Sequence, residues 1–305
     1  MDEKNVTQQD IEIHYERATQ KAKTNLVWFG IFSVIMLFSG FTSAYIVSKG
    51  DGFWVNFNLP NAFWISTALI IVSSITVYLA TLFAKKQNKK STTIFIVISI
   101  LLGLLFGMFQ YQGWKEINDK GMTFSDKIYN LDTEEFYIQG EYGIDYTVEF
   151  QGNELIKEED GFYFMGEEVV KIDKEEYKEL KSNKPDKKYG REFVRVQIKE
   201  EKIKKSDEIR EVFQVVVLTK KKLSASYLAK LKEAGNSSSS YFYLITGLHL
   251  LHFLFAIGYL FKLLITLVIG KNKEIYHQRV KRTGYFWHFF GGLWIYLLLF
   301  LFFIH

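Results

Sequence analysis

Residues 91–113 read STTIFIVISILLGLLFGMFQYQG, and this stretch decides the class of fold. It has no charged side chain, and at 1.5 Å per residue it makes a helix of about 35 Å. The hydrocarbon core of a bilayer is about 30 Å thick, so one such helix crosses it. The stretch therefore predicts a transmembrane helix.

Four further stretches, of 21 to 29 residues, are similarly apolar. Only Lys262 is charged within the five spans, and it lies near the end of the fourth, where its ammonium group can snorkel to the interface. The predicted fold class is an all-α membrane protein with five transmembrane helices. Besides residues 91–113, the predicted spans are Asn25 to Ser48, Asn61 to Ala84, Tyr241 to Ile269 and Gly284 to Ile304.

Lysine and arginine residues are unevenly distributed over the short loops. Basic residues mark cytoplasmic loops, and the loop after span one has only Lys49. The N-terminus is therefore predicted to be cytoplasmic, with the C-terminus and the long segment between spans three and four outside. The basic residues on the predicted cytoplasmic side are Lys4, Arg17, Lys21, Lys23, Lys85, Lys86, Lys89, Lys90, Lys271, Lys273, Arg279, Lys281 and Arg282.

That segment, residues 114–240, is predicted to be a water-soluble α+β insertion. It has 23 Lys or Arg against 27 Asp or Glu, whereas the rest of the chain has 15 against 7. Aromatic and β-branched residues predict strands, and apolar residues at helical spacing predict helices. The predicted strands are Tyr146 to Phe150, Phe162 to Phe164, Phe193 to Ile198 and Val212 to Leu218; the predicted helices are Asp173 to Leu180 and Leu223 to Glu233.

The predicted domain organisation follows from these segments. Residues 1–24 form a cytoplasmic segment that lacks the apolar core of a signal peptide. Residues 25–113 contain helices one to three, residues 114–240 the periplasmic insertion, and residues 241–305 helices four and five. The Gly/Asn/Ser run Gly235 to Ser240 is predicted to be a flexible return to the membrane.

Several chemistries are disfavoured. The chain has no cysteine, so it offers no thiolate for copper or zinc, and an oxidising compartment is permitted. It has no internal repeat, Walker-type loop, nucleotide fingerprint or nucleophile elbow. No nucleic-acid partner is expected.

Histidine and tryptophan recur in the last two spans in a distinctive order. Span four contains Thr246-Gly247-Leu248-His249-Leu250-Leu251-His252, and span five contains Trp287-His288-Phe289 followed by Trp294. This set resembles the signature of subunit III of the haem-copper oxidases. Similar blocks are Ser39-Gly40-Phe41, Leu59-Pro60, Leu101-Leu102-Gly103 with Gln110, and Phe124-Ser125-Asp126. The resemblance leaves the insertion unexplained.

The resemblance implies the shorter bacterial form of this subunit, in the inner membrane. Spans one and two would lean away from spans three to five around a lipid-filled cleft that Trp64 helps to line. The chain would support the catalytic subunit and hold phospholipid without catalytic, cofactor-binding or metal-binding residues, while haem and copper reside in subunits I and II. The residues expected to contact lipid or a neighbouring helix are His249, His252, His288, Trp287, Trp294, Trp64 and Gln110.

The chain departs from the family at three positions where members carry a membrane carboxylate. Val34, Gly113 and Gly291 stand there instead. Intramembrane carboxylates are what a proton relay uses, so a role in collecting protons is not carried over.

Alternatives remain at this stage. The chain could belong to a quinol oxidase, or be an unrelated polytopic receptor or transporter with a periplasmic ligand-binding domain. A haem held between two helices by two of His249, His252 and His288 is a third hypothesis, which the haem-free family disfavours. The insertion is expected to dock an extracytoplasmic partner, either another oxidase subunit or a neighbouring respiratory complex with a tethered cytochrome c, or else only to cover its own complex.

Tryptophans near span ends favour an interfacial belt: Trp28, Trp54, Trp64, Trp114 and Trp287.

Overall fold

The computed structural model describes residues 8–124, 127–130, 133, 135–158, 161–172, 193–202, 209–269 and 276–304. Most of these residues are helical, and five helices are long and apolar enough to cross a membrane, which confirms that prediction. The described residues also include a sixth, short helix that follows the sheet. The helices are α1 (Gln8–Asp51), α2 (Asn61–Lys85), α3 (Lys89–Asp119), α4 (Ala225–Glu233), α5 (Ser237–Ile269) and α6 (Tyr276–Ile304).

Helix α5 begins earlier than the hydropathy of its sequence indicates. Asn236 precedes it, and the Asn236 side chain accepts a hydrogen bond from the backbone N–H of Ser239 at 3.1 Å, as an N-cap residue does. Ser238 and Ser239 are buried in the first turn. The predicted flexible return over Gly235 to Ser240 is therefore wrong, because α5 already begins in the serine run, after its cap at Asn236.

Helices α2, α3, α5 and α6 form a closed ring, in which each helix packs against two of the others. A side-chain hydrogen bond joins every neighbouring pair, so polar groups inside the bundle are used to connect helices. The four bonds run from Gln110 Nε2 to Ser66 Oγ (2.9 Å), from Trp114 Nε1 to Thr246 Oγ1 (3.1 Å), from His249 Nε2 to Phe290 O (3.0 Å) and from Trp294 Nε1 to Thr67 Oγ1 (2.9 Å).

Helix α1 lies outside this ring, against α5 and α6. The predicted separation of spans one and two from spans three to five is wrong, because α2 packs most extensively on α3. Only three residues connect these two helices, and small polar side chains face each other between them: Thr76 Oγ1 lies 2.7 Å from Ser99 Oγ, and Ser73 Oγ donates to Ser99 O. The predicted cleft between the two groups is absent from the described helices.

A sheet lies between α3 and α5, as predicted for the insertion. Four of its strands contain the predicted segments, and β4 matches its prediction residue for residue. The predicted helix Asp173 to Leu180 lies outside the described residues, and α4 falls within the other predicted helix. The strands are β1 (Phe53–Phe57), β2 (Tyr129–Asn130), β3 (Glu135–Phe136), β4 (Tyr146–Phe150), β5 (Asn153–Glu158), β6 (Gly161–Ile172), β7 (Phe193–Lys202) and β8 (Ile209–Lys222).

Six strands form one antiparallel sheet in the order β1-β4-β5-β6-β8-β7, while β2 and β3 pair separately. The edge strand β1 was not predicted, and it comes from the loop between α1 and α2. It pairs along the whole of β4, from Phe53 opposite Phe150 to Phe57 opposite Tyr146. The sheet is therefore built from two loops on the same end of the bundle.

Candidate functional site

The ring of helices encloses a cluster of aromatic and polar side chains centred on His249. This imidazole is 1 % exposed, and its Nε2 donates to Phe290 O across the α5–α6 contact. Its ring centroid lies 5.3 Å from that of Trp294 and 6.2 Å from that of Phe106. A histidine buried in this way joins two helices and is closed in by aromatic rings.

The two tryptophans of α6 fill the interior of the ring. Trp294 is 1 % exposed and bonds to α2 through Thr67. Trp287 is equally buried and occupies the space beside Gly103, where an added Cβ would lie 2.7 Å from the indole Cη2 atom. The interfacial-belt interpretation is therefore wrong for Trp287, and also for Trp54, which is fully buried in β1.

Gln110 completes the cluster from α3. It is 1 % exposed, and its amide nitrogen donates to Ser66 on α2. It lies one turn along α3 from Phe106, whose ring contacts Phe253 and Trp294 at 4.5 and 5.6 Å between centroids. Four of the predicted contact residues, His249, Trp287, Trp294 and Gln110, are thus brought together in one buried network.

The other three predicted residues lie elsewhere. His252 Nδ1 lies 2.7 Å from Leu248 O on its own helix, so its described hydrogen bond is within α5 and not between helices. His288 Nδ1 lies 2.5 Å from Ser74 Oγ on α2. Trp64 is 41 % exposed at the sheet end of α2, and its ring packs edge-on against Phe302 at 5.3 Å.

The three membrane histidines consequently face three different partners. His249 is bonded to α6, whereas His288 is bonded to α2, so the geometry does not direct these two imidazoles of the haem hypothesis at each other. Among the described residues, no group of three or more histidines and carboxylates is close enough to share one metal ion. The arrangement suits helix-to-helix contact.

At two positions where the resembling family has carboxylates, even an added Cβ would crowd a side chain of α2. A Cβ added at Gly113 would lie 2.7 Å from Cε1 and Cζ of Phe63, and one added at Gly291 would lie 3.3 Å from Cγ1 of Ile70. Both glycines face the α2 side of the bundle. The glycines that replace the carboxylates therefore allow close packing against α2 at these positions.

A crevice between α1, α5 and α6 combines cations with an apolar wall. It has a volume of about 510 Å³ and lies at the end opposite the sheet. None of its four cations forms an ion pair with a carboxylate in the part of the chain that is described, and Arg282 donates to the Gln20 side chain. A basic pocket between membrane helices is suited to an anionic lipid headgroup. Its lining includes the cations Lys23, Lys262, Arg279 and Arg282 and the apolar residues Leu26, Val27, Leu263 and Phe286.

A polar clasp holds the sheet to the bundle, and the sequence analysis missed it. Lys49 Nζ donates to Asn56 Oδ1 at 3.1 Å and to Ile304 O at 2.8 Å, and lies 3.5 Å from Glu149 Oε2. Asn56 Nδ2 in turn donates to Glu149 Oε1 at 2.6 Å. The carbonyl end of a helix carries partial negative charge, so Lys49 also stabilises the end of α6. The sequence did contain a signal for this contact, because Lys49 is the only basic residue in the loop after span one.

No protein-family model matches the chain, and a search of curated proteins finds no significant match. What the chain does is therefore inferred from its own residues and contacts.

Proposed function

We propose that this chain is the noncatalytic subunit III of a bacterial haem-copper respiratory oxidase, of the cytochrome c oxidase type. It supports the catalytic subunit in the inner membrane and holds phospholipid, while haem and copper belong to subunits I and II. The quinol-oxidase form of the same subunit is the closest alternative, because the electron donor binds other subunits.

One observation carries the proposal. Residues that gave the resemblance come from three different spans, yet four of them lie in one buried network at the centre of the bundle: Gln110, His249, Trp287 and Trp294. The hydrogen bonds of Gln110, His249 and Trp294 join helices, which is what a supporting subunit needs from membrane polar groups, and Trp287 joins the network by packing. A set of helix contacts common to this chain and the resembling family would explain why the same residue types recur in the same order.

The charge distribution supports the proposed sidedness and the proposed lipid binding. The crevice with Lys23, Lys262, Arg279 and Arg282 lies at the basic end, which would face the cytoplasm and its anionic leaflet. The sheet lies at the other end and would face the periplasm. Lipid retention is thus proposed for this crevice, in place of the cleft that the sequence predicted.

The direct test is purification of the tagged chain from native membranes in mild detergent. We expect subunits I and II to co-purify in fixed ratio, with haem bands in the difference spectrum. Trp294→Ala, which opens the core, should reduce co-purification, whereas Trp28→Ala, at a 46 % exposed position, should leave it intact. Recovery of the wild-type chain without haem would overturn the proposal and favour a receptor or transporter.

The insertion is proposed to dock an extracytoplasmic partner that delivers electrons, either a neighbouring respiratory complex or cytochrome c. The strand register offers a shortened variant that keeps the sheet next to the bundle. Gly166 and Thr219 are paired between β6 and β8, so replacing residues 167–218 by Asn-Gly closes the sheet with a two-residue hairpin turn. β1, β4 and β5 remain.

We expect this shortened chain to assemble an oxidase that turns over a small donor normally but binds the larger partner more weakly. Unchanged association would mean that the distal part of the sheet only covers its own complex.

A further inference from the structure

A groove between α2 and α6, on the outside of the ring, has polar groups at the depth of the hydrocarbon core. Its volume is about 420 Å³, and Ser74 and His288 lie in its lining. Counted at 1.5 Å per residue from the nearer end of each apolar stretch, Ser74 lies about 15 Å inside α2 from Ala84, and His288 lies about 6 Å inside α6 from Gly284. Both residues therefore lie within the apolar part of their helices.

His288 is not fully satisfied by the described chain. Its Nδ1 pairs with Ser74 Oγ, while no described residue forms a hydrogen bond with its Nε2. Exposed or half-buried hydroxyls elsewhere in the membrane helices bond back to their own helix, as Ser33 does to Phe29 O and Thr266 to Lys262 O. A polar nitrogen facing hydrocarbon is costly, so the groove needs a hydrogen-bonding occupant.

The walls of the groove allow a neighbouring helix to approach closely. Gly292 lies in the wall formed by α6, and a Cβ added there would meet nothing within 4 Å. Small residues allow the backbone of a neighbouring helix to approach closely. The α2 side presents Ile71, Ile75 and Tyr78, which recur at helical spacing and are 45–56 % exposed.

An acyl chain could fill this volume, but it offers no hydrogen bond to an imidazole. We propose that the groove is the docking surface for one transmembrane helix of a different membrane protein, which presents a hydroxyl, amide or carboxyl group to Nε2 of His288. The inference rests on the proposed function only for naming that protein as the catalytic subunit. The polar pair selects the occupant by hydrogen-bond complementarity.

Photo-cross-linking in native membranes tests the proposal on the full-length chain. p-Benzoylphenylalanine is placed at Ile75 in the groove, or at Ile265 on α5 as a control of similar exposure (55 % and 57 %). We expect a discrete cross-link to another protein from position 75 and lipid adducts from position 265.

Two variants then ask whether the groove itself is occupied. Gly292→Leu fills it and should abolish the cross-link, whereas Gly258→Leu on α5, where an added Cβ also meets nothing within 4 Å, should not. His288→Leu removes one intramembrane hydrogen bond and should weaken association about threefold to fifteenfold. Gel filtration establishes that each variant is folded.

The outcomes separate this inference from the proposed function. A cross-link to an oxidase subunit supports both. A cross-link to an unrelated membrane protein supports the docking surface and overturns the oxidase assignment. Lipid adducts alone, a cross-link to a second copy of this chain, or a cross-link that Gly292→Leu leaves unchanged would each overturn the docking surface.

Discussion

Gly103→Ala tests the packing of the ring at a crowded contact between α3 and α6. The new Cβ would lie 2.7 Å from Cη2 and 3.3 Å from Cζ2 of Trp287. Carbon atoms in favourable contact are about 3.5–4.0 Å apart, so the indole has to move by about 1 Å. Trp287 is fully buried and packs against Phe253 at 5.1 Å between ring centroids, which leaves it little room.

A matched pair of glycine-to-alanine variants gives the expected change in the free energy of unfolding. Overpacking of this kind costs about 1–3 kcal/mol. Replacing glycine by alanine in a helix also gains about 0.5–1 kcal/mol of backbone entropy, which Gly107→Ala measures alone, because a Cβ at Gly107 meets nothing within 4 Å. The two variants lie one turn apart on α3 and should differ in free energy of unfolding by about 1–3 kcal/mol.

Thermal unfolding of the purified protein, followed by tryptophan fluorescence and by gel filtration after heating, measures this difference. We expect Gly103→Ala to melt below the wild type and Gly107→Ala at or above it. Trp287→Phe, which shortens the ring, should restore much of the loss in the Gly103→Ala background. If both alanine variants melt together, Trp287 does not pack against α3 as described.

Three further results are expected. Lys49→Met breaks the clasp between sheet and bundle and should cost about 1–3 kcal/mol, whereas Lys120→Met, which loses only an exposed 3.8 Å ion pair, should cost under about 0.5 kcal/mol; equal melting temperatures would contradict the clasp. Burial raises the pKa of Tyr142 to about 12, although a Val148 N–H donated to its oxygen opposes this. The folded pKa exceeds the ordinary value of 10.0, so this contribution to stability is complete below pH 10 and is lost as the pH rises towards 12. In a tyrosinate absorbance titration, wild type minus Tyr142→Phe should show one group titrating near pH 12, and a group near pH 10 would be inconsistent. Lastly, His249→Leu and His288→Leu together should leave the haem bands of the membranes unchanged, and loss of a band would indicate haem ligation.

The helices could be predicted because lipid imposes a simple requirement. A chain crossing hydrocarbon has to satisfy its backbone internally and be apolar over about 20 residues, so the stretch at residues 91–113 was recognisable alone. Which helices pack together was not recognisable. Leu and Ile suit lipid and a protein neighbour equally, so hydropathy does not show which helices are neighbours. The contacts of the ring are specified by small polar residues such as Ser66, Ser73 and Ser99.

The sheet was predicted in part for a related reason. β4 alternates Tyr146, Val148 and Phe150 on its buried face, and that period-two pattern marks a strand. β1 contains the same residue types but is almost continuously buried and sits in a short connection, so it resembled the tail of a membrane span. The hydrogen-bond partners of the histidines could not be predicted either, because they include Phe290 O, a backbone atom whose position depends on the tertiary fold.

The pairing of β1 with β4 ties the order of synthesis to the order of folding. Phe57 leaves the ribosome 89 residues before its partner Tyr146, an interval of about 4–18 s at 5–20 residues per second. Throughout that time the first loop presents an unpaired strand with aromatic side chains, which is the kind of edge that invites mispairing. The sheet cannot close until α2 and α3 have been made, because they lie between β1 and β4 in the chain, so any delay at these helices prolongs the period in which this strand needs protection.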